Sequence, residues 1–238
     1  MHNKFILGVV CTALALLILL NTSSTANASI MWNTPTAITT SDAMLKQPGY
    51  RLIGAEEWGA SSSNVNVSLS DGSTVTFLAG TLNGSDSFAS TSGGLALFGA
   101  NGYHNSNASL QSALVGFQYQ GTTSPLMSVT FNNLTPGVSY LAQLLALDNR
   151  GISVSEHFST DSTGATNNSA NFLVNADDYV TGQFTATGTT QSFYFFSSNS
   201  AYSTDLTAAA LYQVPEPTSL GLLGFAGLLT LRRRPRAC

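Results

Sequence analysis

Between positions 65 and 77, Val65, Val67 and Leu69 alternate with polar residues, and Val75 and Phe77 resume the alternation after Asp71-Gly72. A period of two marks a strand with one buried face. Asp-Gly between two such runs predicts a hairpin with a type I′ turn, both central residues at positive φ. Leu126 to Phe131 predicts another short strand. The Leu134-Thr135-Pro136-Gly137 turn follows it, with Pro presetting φ and Gly supplying the left-handed position. Val138 to Leu147 is the most apolar stretch of the middle of the chain and predicts a central strand. Further strands are expected over Ile152 to Phe158, Asn171 to Val174, Tyr179 to Ala186, Gln191 to Phe196 and Asp205 to Val214. Helical spacing is confined to Ser109 to Val115, where Leu110 and Leu114 stand four apart. Short strands separated by Gly, Asn, Ser and Thr predict an all-β sandwich, with Thr160 to Ser169 as a polar, mobile loop.

Two apolar runs depart from this pattern. Lys4 precedes an uncharged run from Phe5 to Leu20, and a polar stretch then ends in Ala26-Asn27-Ala28. Small residues at positions −3 and −1 suit signal peptidase, so residues 1–28 read as a signal peptide cut between Ala28 and Ser29. The run is shorter than the ~20 apolar residues a lasting span needs. Cys11 sits in the middle of it, not at its end where a lipidated cysteine would stand.

At the other end, Val214-Pro215-Glu216-Pro217 closes the last strand, because two prolines remove backbone donors. Thr218 to Leu231 carries no charge and reads as a short transmembrane helix. Its length would be ~21 Å, less than the ~30 Å hydrocarbon core. Arg232, Arg233, Arg234 and Arg236 follow and would hold the end on the cytoplasmic side. This segment, 214–238, is either a minimal anchor or a sorting signal cut near Pro-Glu-Pro.

Setting both ends aside leaves residues 29–213 and changes the charge picture. All 12 carboxylates lie between Asp42 and Glu216, against Lys46, Arg51 and Arg150 alone, although the whole chain has a formal charge of −4. Such a domain repels polyphosphate, which argues against nucleic acid as a partner. The span has no cysteine, hence no internal disulfide and no thiol chemistry. Export without disulfides fits a bacterial envelope.

The C-terminal segment resembles a PEP-CTERM domain: Pro215-Glu216-Pro217, a short Gly/Leu-rich span, then an arginine cluster. The resemblance implies export by a Gram-negative-type bacterium and recognition of the tail by an exosortase, a membrane-embedded transpeptidase-like enzyme. It also implies transient membrane anchoring before delivery to the cell surface or matrix. Trp32 to Ile38, Leu134 to Tyr140 with Asp148 after it, and Gly182 to Ala186 are similar to pieces of planctomycete-type PEP-CTERM ectodomains. Those resemble galactose-binding-like or malectin-like jelly rolls. The likeness implies a fold and carries over no binding residue.

Candidate chemistry is sparse. His104 and His157 lie in no zinc-ligand spacing, and no Gly-x-Ser-x-Gly elbow is present. A spatially assembled hydrolase site would need one of these histidines beside a carboxylate and a serine. Glu56-Glu57 and Asp177-Asp178 are adjacent acid pairs, but neighbours on a strand point to opposite faces and make no glycosidase couple. Asn175 with Asp177 and Asp178 offers oxygen ligands to structural calcium, and reads more simply as a turn. Trp32, Trp58 and Tyr103 are the candidates for an exposed sugar-stacking platform, with core packing as the plainer fate. Phe193 and Phe195 alternate with Tyr194 and Phe196, which predicts a buried strand. No catalytic set and no cofactor signature emerges. The reading is a non-enzymatic surface protein that binds extracellular polysaccharide or matrix. The alternatives are a purely structural surface protein and an envelope hydrolase.

Overall fold

The computed structural model describes residues 28–59, 63–100, 102–103, 108–121, 126–151, 153–198 and 204–215. Most of the expected leader, with Ala26, lies outside these residues. So do His104 and the expected sorting segment beyond Pro215, including Glu216, Pro217, Arg232, Arg233 and Arg234.

Strands carry the fold. β1 (Met31–Trp32) and β2 (Thr36–Ala37) come first, then helix α1 (Ser41–Leu45), β3 (Arg51–Glu57), β4 (Val65–Ser68) and β5 (Thr74–Ala79). β6 (Ala89–Ser92) and β7 (Ala96–Phe98) lead to helix α2 (Ala108–Ala113), followed by β8 (Phe117–Tyr119), β9 (Ser128–Phe131) and β10 (Ser139–Leu145). β11 (Ser155–Ser159), β12 (Phe172–Leu173), β13 (Asp178–Thr185), β14 (Gln191–Ser197), β15 (Asp205–Leu206) and β16 (Ala208–Gln213) follow. No helix among the described residues is long and apolar enough to cross a membrane.

Two sheets face each other. The larger runs β1-β13-β10-β16-β3-β5-β4, with β2 also on β13, and the smaller runs β12-β11-β14-β9-β6. Their inner faces enclose one core. Ala142, Leu144, Val180, Phe184 and Leu211 from the larger sheet meet Val129, Phe131, Phe158, Phe193 and Phe195 from the smaller. This is the expected all-β sandwich. A third, short sheet, β15-β8-β7, stands beside it.

The larger sheet is buried on its other face too. Leu141, Leu145, Ala55, Phe77, Ala208 and Tyr212 pack with Met44 and Leu45 of α1 and with Leu110, Ala113 and Leu114 on and just after α2. Burial on both faces is why Val138 to Leu147 is apolar without alternation, and β10 does lie centrally, between β13 and β16. Thr40 caps α1, its Oγ1 accepting from Ala43 N at 3.0 Å.

The β4–β5 hairpin forms in the expected register, Val65 opposite Phe77 and Val67 opposite Val75. Its turn differs from the expected type I′. Gly72 N donates to Leu69 O and Leu69 N to Ser73 O, and Gly72 takes φ 81° while Asp71 stays out of the positive-φ region. The result is a three-residue loop closed by a glycine bulge. Asp71 accepts from Ser73 N and Oγ instead of bending the chain. Lys46 Nζ, 2.7 Å from Asp42 and 3.0 Å from Asp71, ties α1 to this loop.

The 160–169 loop, expected to be mobile, is built around one carboxylate. Asp161 accepts from Thr163 N, Thr163 Oγ1 and Ala165 N, and Asn168 Nδ2 donates to Gly164 O.

Candidate functional site

The candidate site is a cleft of about 440 Å³ at one end of the sandwich. Its sheet side is formed by Arg51, Ile53 and Gly54 of β3, Leu211 and Gln213 of β16, and Tyr140 of β10. The loop from Asn132 to Thr135 and the pair Ser87-Phe88 form the opposite wall. Gly54 is required here. A Cβ at this position would stand 2.7 Å from the Phe88 ring, so only glycine lets that ring lie on the sheet. The register shifts opposite it, between Leu211 and Tyr212.

The polar groups of the cleft are held in place. Asn132 Nδ2 donates to Asp86 O at 3.1 Å and Asn133 Nδ2 to Ser87 O at 2.8 Å. Asn133 takes φ 56°, a conformation asparagine tolerates better than most residues. Thr135 N donates to the Tyr140 hydroxyl at 3.0 Å, and Arg51 donates to Gln213 Oε1 at 2.5 Å. The lining thus combines amides, hydroxyls, two aromatic rings and one guanidinium with the aliphatic side chains of Ile53, Leu78, Leu134 and Leu211, and holds no carboxylate and no histidine. Such a surface can orient a neutral polyol by hydrogen bonds. Gln213 lines the cleft two residues before Pro215, and Val214 N donates to Ser139 O at 3.0 Å. Val214 and Pro215 therefore follow directly from the edge of the cleft.

The ionisable groups inside the domain lie elsewhere. Glu56 and Glu57 are consecutive on β3 and, as expected, do not converge. Glu57 follows Ala55 onto the helix-covered face, and Glu56 follows Gly54 towards the smaller sheet. Burial, helped by the charges of Asp86 and Glu57, pushes the Glu56 carboxyl up to about 8. Glu156 is fully buried, and burial followed by the charge of Asp205 pushes it well above the usual carboxylate range. Nearby, Arg150 Nε donates to both oxygens of buried Asp148 while its guanidinium lies 5.0 and 5.1 Å from the Phe98 and Phe117 ring centroids. The ion pair neutralises Asp148, and the rings shield it.

The sequence candidates fare differently. Trp58 is 1 % exposed and Tyr103 5 %, so neither presents a ring to solvent, a correction to the expected platform. Trp58 closes the inter-sheet core, and Tyr103 packs beside Leu110 and Leu114. Burial, with the charge of Asp177, pushes the Tyr103 hydroxyl up to about 12. Trp32 is half-buried, packed on Phe158 and Phe193, and its Nε1 donates to Asn167 O at 2.9 Å. The 160–169 loop thereby holds Trp32 in place.

Phe193 and Phe195 are buried as expected, while Tyr194 and Phe196 are half-buried on the other face. His157 stacks on Phe196, its Nε2 lacks a hydrogen-bond partner, and burial lowers its pKa. Asp177 follows a turn closed by Ala176 N donating to Leu173 O, takes φ 53° and accepts from Asn149 Nδ2 at 3.0 Å. Among the described residues no three acids, histidines or cysteines are grouped to hold a metal ion. Ala28 is buried and Ser29 exposed.

Sequence reasoning missed the cleft residues because Asn132, Asn133 and Gln213 carry no motif. The sequence reading took Leu134 to Gly137 as a turn and gave the two asparagines before it no role. No protein-family model matches this chain, and no curated protein or solved structure matches it either.

Proposed function

We propose that this protein is exported, held briefly in the membrane by residues 214–238, and sorted to the cell surface or matrix, where it binds neutral extracellular polysaccharide without catalysis. The partners are signal peptidase, an exosortase-type enzyme acting on the tail, and the glycan itself. The two-sheet core is taken as a jelly-roll variant. The observation that carries the binding reading is the cleft, whose lining sets amides, hydroxyls, aromatic rings and the Arg51 guanidinium among aliphatic side chains and includes no acid or histidine. Retention of the folded, exported protein on a panel of neutral polysaccharides tests it. No retention on any of them by protein shown to be folded would overturn the binding reading.

A second reading, a structural surface protein with no small ligand, is favoured by a different observation. The large apolar side chains exposed among the described residues are Met31, Ile53, Leu82, Leu95, Leu97 and Leu173, and no aromatic is among them. The same retention assay separates the two readings. The hydrolase reading gains nothing from His157, which faces a phenylalanine ring.

A further inference from the structure

One apolar side chain of the cleft stands open to solvent. Leu134, Leu211, Phe88 and Tyr140 are buried and Leu78 is half-buried, whereas Ile53 is 44 % exposed. Its place follows from the register shift in β3. Gly54 pairs with Leu211 and Leu52 with Tyr212, so Ile53 is the extra residue of a bulge, with no partner on β16. Neighbours on a regular strand point to opposite faces, yet Ile53 and Gly54 both line the cleft. The bulge thus does two things at one point. It seats the Phe88 ring over Gly54 and leaves the isoleucine beside it on the cleft wall, uncovered.

The polar groups of the same cleft complement an amide. Asn132 and Asn133 use their Nδ2 groups on Asp86 O and Ser87 O. Their Oδ1 atoms accept from no described residue and remain available as acceptors. Gln213 is the reverse case, since its Oε1 accepts from Arg51 and its Nε2 remains a donor. An acetamido group carries an N–H, a carbonyl and a methyl in one small substituent, so it can meet an acceptor, a donor and an apolar contact together. A bare sugar hydroxyl laid on Ile53 would lose water without gaining a partner. We propose that the cleft selects neutral glycans with N-acetylated hexosamine units. The acetamido methyl covers Ile53, Asn133 Oδ1 accepts from the acetamido N–H, and Gln213 Nε2 donates to its carbonyl. Ile53 is then the residue that sets specificity. The inference rests on the polysaccharide-binding reading above and narrows it to one substrate class.

The test is titration of the folded, exported protein with neutral oligosaccharides that differ only at C2: N-acetylchitohexaose against cellohexaose, and N-acetyllactosamine against lactose. In at least one pair the acetamido member is expected to bind at least about fourfold tighter, the factor that one buried methyl group is worth. Ile53→Ser should abolish that difference. Ile53→Val keeps a branched apolar side chain and should retain it. Position 53 is exposed, so both variants should keep the wild-type melting midpoint. Equal or reversed binding in both pairs, or a preference that survives Ile53→Ser, overturns the inference and leaves the binding reading standing. Binding confined to polysaccharides without acetamido groups does the same. No binding to any glycan by folded protein overturns both.

Discussion

The backbone N–H of Asp205 donates to Glu156 Oε1 at 3.0 Å, in a place where both residues are buried. Two acids this close inside a protein cannot both ionise without a large desolvation cost, so the pair favours a protonated Glu156. With Glu56 also raised, the domain stores protons in its core at pH values where the unfolded chain has released them.

Stability therefore falls as pH rises. For Glu56 the contribution is fully present below the unfolded value of 4.5 and is lost as pH climbs through about 8, and Glu156 adds to the same slope. Asp42 acts in the opposite sense. Hydrogen bonds from Lys46 and Ser70 hold it down to about 2, so its contribution is present above 3.8 and is lost as pH falls towards 2. Urea melts across this range should show a maximum in mildly acid solution and a decline towards pH 9. Glu56→Gln and Glu156→Gln should flatten the decline, and a wild-type profile already level from pH 5 to 9 would contradict the assignment.

Gly182 makes room for Trp32. A Cβ there would lie 2.5 Å from Ile30 Cγ2 and 2.8 Å from the Trp32 ring. Gly182→Ala should cost ~1–3 kcal/mol of stability, in the range of core overpacking. It should also alter tryptophan emission as Trp32 leaves Phe158 and Phe193. An unchanged melting midpoint with unchanged emission would show that Trp32 is not seated as described.

Gln213→Ala and Asn133→Gly should weaken retention on a polysaccharide that binds the wild type, by roughly fivefold to tenfold each, in line with the ~1–1.5 kcal/mol of a lost hydrogen bond. Trp58→Ala serves as the contrast. It should cost ~3–5 kcal/mol in stability as a buried aromatic truncation, and any loss of binding should follow unfolding. Retention unaffected by both cleft variants would move the ligand away from the cleft.

Processing at the far end is checked by intact mass. Surface-derived protein should lack the residues beyond the Pro215-Glu216-Pro217 region, and replacing Arg232, Arg233 and Arg234 with Gln should impair membrane retention of the precursor. Mature surface protein still ending in Cys238 would favour a permanent anchor.

The sequence by itself determined what depends on neighbours along the chain. The period-two run at 65–77, the turn at Pro136-Gly137 and the largely apolar stretch over 138–147 each set a strand or turn whatever lies around them. The short strands β1, β2, β6, β7 and β8 escaped that reading, and so did β3 and α1. β3 carries Gly54 and two glutamates and shows no alternation; it pairs with β16, and only its end, Ala55 to Glu57, is buried on both faces. Helix α1 has five residues, too few to show a helical period. The turn at 70–72 shows the limit at short range, since Asp-Gly fits two loop lengths and the pairing of Leu69 with Ser73 selects one. Only the tertiary structure decided which aromatics are buried, which acids keep their protons and where a cleft opens. Those properties arise where strands distant in sequence meet: Glu156 with Asp205, Phe88 over Gly54, and Ala28 against Gln191.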